Sequence, residues 1–366
     1  MAAHRHLRLP WTTVAPVVAV LALAATWGRE ANLAVVLLVG VLLGAAVLAG
    51  VHHAEVVAHR VGEPFGSLVL AVAVTVIEVA LIVTLMASGG DKAASLARDT
   101  VFAAVMITTN GILGLSILLA SRRTGFSRFN AEGTGGALAT VATLAGLSLV
   151  LPSFTLGEPG PRFTTPQLTF AAVSSLALYA LFISMQTRTH RDFFLPVTSS
   201  GAVIDPEEEH AAPPLKRAAL TSLALLVVSL VSVVGLAKVE SPAIEAAVDA
   251  VGFPPSFVGV VIALLVLLPE TLAAARAARR ERVQTSLNLA LGSAMASIGL
   301  TLPAIAVASI WLEGPLELGL GATQMTLLVL TVVVGVLTVV PGRATRLQGG
   351  VHLALLAAYL FLAVNP

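Results

Sequence analysis

Apolar residues in this chain fall in long unbroken runs. They show neither the alternation of a half-buried strand nor the one-sided stripe of a soluble helix. A helix crossing the hydrocarbon layer needs roughly 17–25 mostly apolar residues. Runs of that kind lie near 11–27, 31–51, 65–88, 99–121, 135–151, 166–187, 217–237, 255–276, 283–311, 322–341 and 347–364. The pattern predicts an all-α polytopic membrane protein with about eleven transmembrane helices. The 135–151 run is short and Gly-rich, and it is the weakest of the set. Basic residues precede the first run, but no small-residue cleavage site follows it and further spans begin at once, so it reads as a retained helix.

Lys and Arg in the connections set the orientation. With the N-terminus in the cytoplasm, sixteen Lys and Arg fall on the cytoplasmic side and five on the outer side, and the C-terminus is outside. The expected location is the cytoplasmic (inner) membrane. The only long hydrophilic stretch is the link near 188–216, which carries Glu207, Glu208 and Glu209 between prolines. It divides the chain into a leading helix (1–30), a first five-helix unit (31–187), the acidic link (188–216) and a second five-helix unit (217–366).

Two runs are interrupted by a carboxylate. Glu78 sits in the third and Glu270 in the eighth, directly after Pro269. An acid at membrane depth is costly, so it is read first as functional. The spans offer no Lys or Arg in their apolar interiors to pair with either. Pro269 has no N–H, so the carbonyl of Leu265 loses its helical partner. Carbonyl and carboxylate oxygens are what a hard cation binds. Thr75 lies one turn before Glu78, and each acidic helix is followed by one bearing small polar groups. These are Thr109 and Asn110 after the first, and Asn288, Ser293 and Ser297 after the second. All of these side chains suit either cation ligation or hydrogen bonding between helices. The helix of Glu270 is the fifth after that of Glu78, an odd step, so their helices cross in opposite directions, as in an inverted repeat.

Composition narrows the classes. The chain is 57% hydrophobic and 11% charged, against roughly 25% charged in a soluble domain. It has no cysteine, which removes disulfides and thiolate metal sites. Apart from Asp99 at the first position of the fourth run, the spans hold no Asp, and they hold no His-Glu-x-x-His, which argues against an intramembrane protease, and no enzyme is expected. A channel is the remaining non-carrier class. His52, His53, Glu55 and His59 form a cluster that reads as a solvated interfacial face before the third helix, and His352 reads as a packing residue.

The segments HHAEVVAHRVGEPFGSLVLAVAVTVIEVALI (52–82) and LLPETLAAARAARRERVQTSLNLALGSAMASIGLTLP (267–303) resemble the two repeat motifs of the calcium/cation antiporter superfamily. Within it the chain is similar to bacterial calcium/proton antiporters, some of which also exchange sodium or potassium for protons. The resemblance implies that Glu78 and Glu270 bind cation and protons in turn, with Asn110, Asn288 and Ser293 as supporting groups. It implies Ca²⁺/H⁺ exchange by alternating access, with Na⁺ or K⁺/H⁺ exchange at the same site as the alternative. The partners expected are inorganic cations and the lipid bilayer, with no cofactor and no nucleic acid; a homo-oligomer is left open. The acidic link at 207–209 is a candidate regulatory segment.

Overall fold

The computed structural model describes residues 10–29, 32–62, 65–89, 93–197, 214–312 and 314–366. Twelve α-helices are described. They are α1 (Trp11–Thr26), α2 (Leu33–Val61), α3 (Phe65–Gly89), α4 (Leu96–Met106), α5 (Leu113–Thr124) and α6 (Ala131–Ala145). The rest are α7 (Thr165–Ser184), α8 (Lys216–Ala250), α9 (Phe257–Arg279), α10 (Val283–Ala308), α11 (Ala322–Val339) and α12 (Arg346–Val364). A π-helical turn, Ile107–Ile112, joins α4 to α5 in one continuous rod, so the twelve described helices form eleven rods, one for each apolar run. Ten of these rods are long and apolar enough to span a bilayer, and α1 is a shorter apolar helix.

Several boundaries differ from the sequence expectation. α2 runs on to Val61 and stops at Gly62, whose φ of +77° a side chain would resist. It therefore absorbs His52, His53 and His59 into a helix. α8 extends to Ala250, well past the apolar run that ends near 237. Hydropathy marks where a helix meets water and not where its hydrogen bonds stop, which is why both ends were underestimated.

The chain divides into two compact units. Unit 1 takes residues 1–81 and 213–243, so it holds α1, α2, most of α3 and most of α8. Its helices meet through small residues: Ala54, Ala73 and Leu226 form a buried cluster joining α2, α3 and α8. A Cβ placed on Gly50 would lie 3.2 Å from Ser229 Cβ and 3.4 Å from Ile77 Cδ1.

Unit 2 takes residues 82–212 and 244–366. Here too small residues let backbones approach, as membrane helices require. A Cβ on Gly114 would come within 2.9 Å of the Gly349 carbonyl oxygen and of His352 Cβ, so α5 and α12 touch nearly backbone to backbone. At the α4–α9 contact a Cβ on Gly259 would lie 2.8 Å from the Thr100 nitrogen.

The connections of unit 2 sort into two sets. Residues 126–128 and 343–345 pair as a short antiparallel ribbon, β1 (Phe126–Arg128) with β2 (Arg343–Thr345). Gln284 Oε1 accepts from the Asn130 backbone at 2.7 Å, which brings the α9–α10 turn to the same set. In the other set, Arg162 pairs with Glu317 at 3.1 Å and the Glu317 N–H donates to the Ala94 carbonyl at 2.9 Å. These are the groupings that the alternation of eleven crossings demands.

Replacing Gly114 by Val should drive a branched side chain into the α12 backbone and cost about 1–3 kcal/mol. Thermal unfolding of the purified protein in detergent checks this; a melting temperature equal to wild type would contradict the close approach.

Candidate cation site

Glu78 lies on α3 and is 5% exposed. Thr75, one turn earlier, is 6% exposed, so both side chains are buried within the protein. Glu270 lies on α9 of unit 2 and is half-buried. Both acids take part in polar interactions within the protein. Pro269 stands inside α9 without breaking it. Leu265, whose carbonyl Pro269 deprives of a helical partner, is half-buried, and beside it Thr271 Oγ1 donates to the Leu267 carbonyl at 2.7 Å.

The polar residues after the first acid fall on the π turn, a feature that hydropathy does not reveal and that often marks functional helices. Thr108 and Thr109 turn their hydroxyls back onto the Ala104 and Val105 carbonyls, at 2.7 and 2.5 Å. Asn110 is fully buried. Its Nδ2 donates to Thr331 Oγ1 at 2.9 Å, and its Oδ1 lies 3.1 Å from His352 Nδ1. An amide oxygen only accepts, so Nδ1 of His352 carries the hydrogen. Its Nε2 then accepts from the Thr338 hydroxyl, 3.1 Å away. The Asn110 amide thus ties the π turn to α11 and α12. Of this network the sequence offers Asn110 as a candidate ligand and His352 as packing. Thr331 and Thr338 went unnoticed, although seven positions apart on one helix is two turns and a shared face.

The polar residues after the second acid separate into different roles. Asn288 accepts from Gln284 Nε2 at 2.9 Å and donates to the Phe194 carbonyl at 2.6 Å. Gln284 also reaches Thr134 at 3.3 Å and the Asn130 backbone, so Asn288 belongs to a network at the end of α10. Asn110 and Asn288 head separate networks. Ser286 donates to the Ala274 carbonyl at 2.7 Å and stitches α9 to α10. Ser293 is half-buried on α10, and Ser297 is buried at 3% exposure with a polar partner.

Two further sequence candidates resolve differently. His53 is not on a solvated face: it is 4% exposed, with Nε2 at 2.9 Å from the Thr12 carbonyl and Nδ1 at 3.3 Å from Ser222 Oγ. It therefore ties α2 to α1 and α8. His52 and Glu55, half a turn away on the helix surface, are exposed and 4.0 Å apart. Glu207, Glu208 and Glu209 lie outside the described residues.

The sequence profile of the sodium/calcium exchanger protein family matches the chain twice, over residues 31–188 and 221–365. The chain belongs to this family. A putative ionic transporter, y4hA, of Sinorhizobium fredii is 43% identical over 365 residues, covering 97% of this chain and 96% of that one. The sodium-potassium/proton antiporter ChaA of Escherichia coli is 35% identical over 338 residues, covering 91% of each. Among solved structures, native YfkE superposes with a TM-score of 0.71 at 14% identity, covering 97% of this chain and 99% of that one. The H⁺/Ca²⁺ exchanger CAX also gives 0.71, at 15% identity and 96% and 86% coverage. At such identities the structures speak for the fold alone. The protein is a multi-pass membrane transporter of cations and not an enzyme.

Asn110→Ala leaves the His352 N–H and the Thr331 hydroxyl without their buried partner, and should cost about 1–3 kcal/mol. His352→Leu should cost a similar amount, and the double variant less than the sum, because both remove one network. Thermal unfolding of the three variants measures this; strict additivity would show that the residues do not act together.

Proposed function

We propose that this protein exchanges Ca²⁺ for H⁺ by alternating access, with Glu78 and Glu270 as the carboxylates that bind cation and protons in turn. The observation that carries the reading is Glu78: one acid, 5% exposed, inside a helix otherwise apolar for most of its length. Two carboxylates sharing a water-poor site cannot both ionise cheaply. Such a pair has two neutral loads, one divalent cation or two protons. The empty, doubly charged form is too costly to re-orient, and that prohibition by itself couples the two flows. Calcium prefers about 6–8 oxygens. Two carboxylates supply up to four of them. Thr75, the Leu265 carbonyl, Ser293, Ser297 and water are the neutral oxygens that would complete the shell. Thr109, Asn110 and Asn288 would serve chiefly by holding the surrounding helices.

A second reading, Na⁺ or K⁺ exchanged for H⁺ at the same carboxylates, is favoured by the 35% identity to the Escherichia coli sodium-potassium/proton antiporter. Both readings go with the cytoplasmic membrane and an N-terminus in the cytoplasm, which the distribution of Lys and Arg supports.

Proteoliposomes with an imposed pH gradient separate the two readings. Ca²⁺ flux that dissipates the gradient, with Na⁺ and K⁺ inert, is the expected result; flux of Na⁺ or K⁺ alone would select the second. In the same assay Glu78→Gln and Glu270→Gln should each abolish exchange while the variants still purify as folded protein. Wild-type flux in either would remove that glutamate from the site.

A further inference from the structure

The second half of α8 holds a third acid that the exchange reading does not use. Glu240 is 5% exposed, and its Oε1 is buried with no hydrogen-bond partner. It sits two residues before Pro242, inside a helix that continues to Ala250. Its other oxygen, Oε2, faces α2 where that helix has no side chain: a Cβ on Gly40 would lie 3.8 Å from it. Ser241, next to it, is 1% exposed.

The charged and titratable groups on the elements around Glu240 lie elsewhere; beyond it on α8, Glu245 and Asp249 are exposed. Lys238 is two positions away, and residues so spaced point to different sides of a helix. Its ammonium lies over the Trp27 ring, 5.5 Å from the centroid. α1 carries no ionisable side chain between Trp11 and Thr26. The ionisable groups of α2, from His52 to Arg60, begin twelve residues beyond Gly40. That is about 18 Å along the helix. Glu78 on α3 follows Ile77, which packs at the level of Gly50 and Ser229. Ser229 is eleven residues before Glu240 on α8, about 16 Å along the axis. Glu240 is therefore separate from Glu78 within unit 1.

A carboxylate oxygen buried without a partner carries a desolvation cost, and taking up a proton removes it. We propose that Glu240 is a proton-binding site of unit 1, occupied while α8 packs on α2 at Gly40 and emptied when water reaches it. Proton binding and the packing of this end of α8 are then linked, so that each favours the other. The proton here binds whatever cation the protein carries; only its part in coupling rests on the proton-exchange reading above.

Infrared difference spectra of the purified full-length protein across a pH titration test the proposal without transport. The wild type should show the carbonyl stretch of a buried protonated carboxyl that is lost in Glu240→Gln and kept in Glu78→Gln and Glu270→Gln. Glu240→Asp, which retains an acid, should keep a band at a displaced frequency. In proteoliposomes Glu240→Gln should still exchange cations, with a flatter dependence of rate on pH. A full set of carboxyl bands in Glu240→Gln, or an unchanged pH profile of exchange, would overturn the proposal. Normal exchange in Glu78→Gln and Glu270→Gln would instead sink the reading of the main site and leave Glu240 untouched.

Discussion

A polar group inside a bilayer has no water to turn to, so each must be satisfied within the protein. Backbones meet the demand by folding into helices, and small hydroxyls meet it locally. Thr100, Thr108, Thr109 and Thr331 all donate to a carbonyl one turn back on their own helix. Larger side chains cannot, and they bind helices together instead. His53 joins three helices of unit 1, and the Asn110–His352 pair joins the π turn of unit 2 to α11 and α12. Carboxyl groups ask for more: Asp99, 3% exposed, takes hydrogen bonds at 2.8 Å from both Ser95 and Arg98.

The division of the chain into units has a bearing on how such a protein works. Unit 1 takes α1, α2 and the greater part of α3 and α8, which are not neighbours in sequence. It carries two buried acids, Glu78 on α3 and Glu240 on α8. Unit 2 carries Glu270 and most of the neutral polar residues, already engaged in hydrogen bonds between helices. A network so fully satisfied resists local deformation. Unit 2 thus has the makings of a stiff frame; in unit 1 small residues bring helices together at Gly50 and around Ala54 and Ala73, and His53 ties three of them.

Much of this architecture was legible in the sequence because hydrocarbon imposes a length. Every apolar run became a rod, including the doubtful Gly-rich one that forms α6. Glu78 and Glu270 were legible because a lone acid stands out in such a run. What stayed hidden has physical causes. The π turn conserves hydropathy, so ITTNGI reads like any other stretch of helix. His352 and Asn110 are 242 residues apart, and nothing local in either announces the other. Glu240 was lost because Lys238 signals a boundary to water, while the helix carries on with Glu240 and Ser241 buried. His53 failed for the mirror reason: a polar cluster at a span's end looks wet, yet one face of it packs against α1 and α8.

The ribbon between β1 and β2 carries a last consequence. Its first strand follows α5, and its second precedes only the final helix. The register Phe126↔Thr345, Ser127↔Ala344, Arg128↔Arg343 ties the turn after α5 to the turn before α12, so the ribbon joins segments very far apart in sequence. Pairings of such long loops are slow to form, because the loop must be closed before the ladder rewards it.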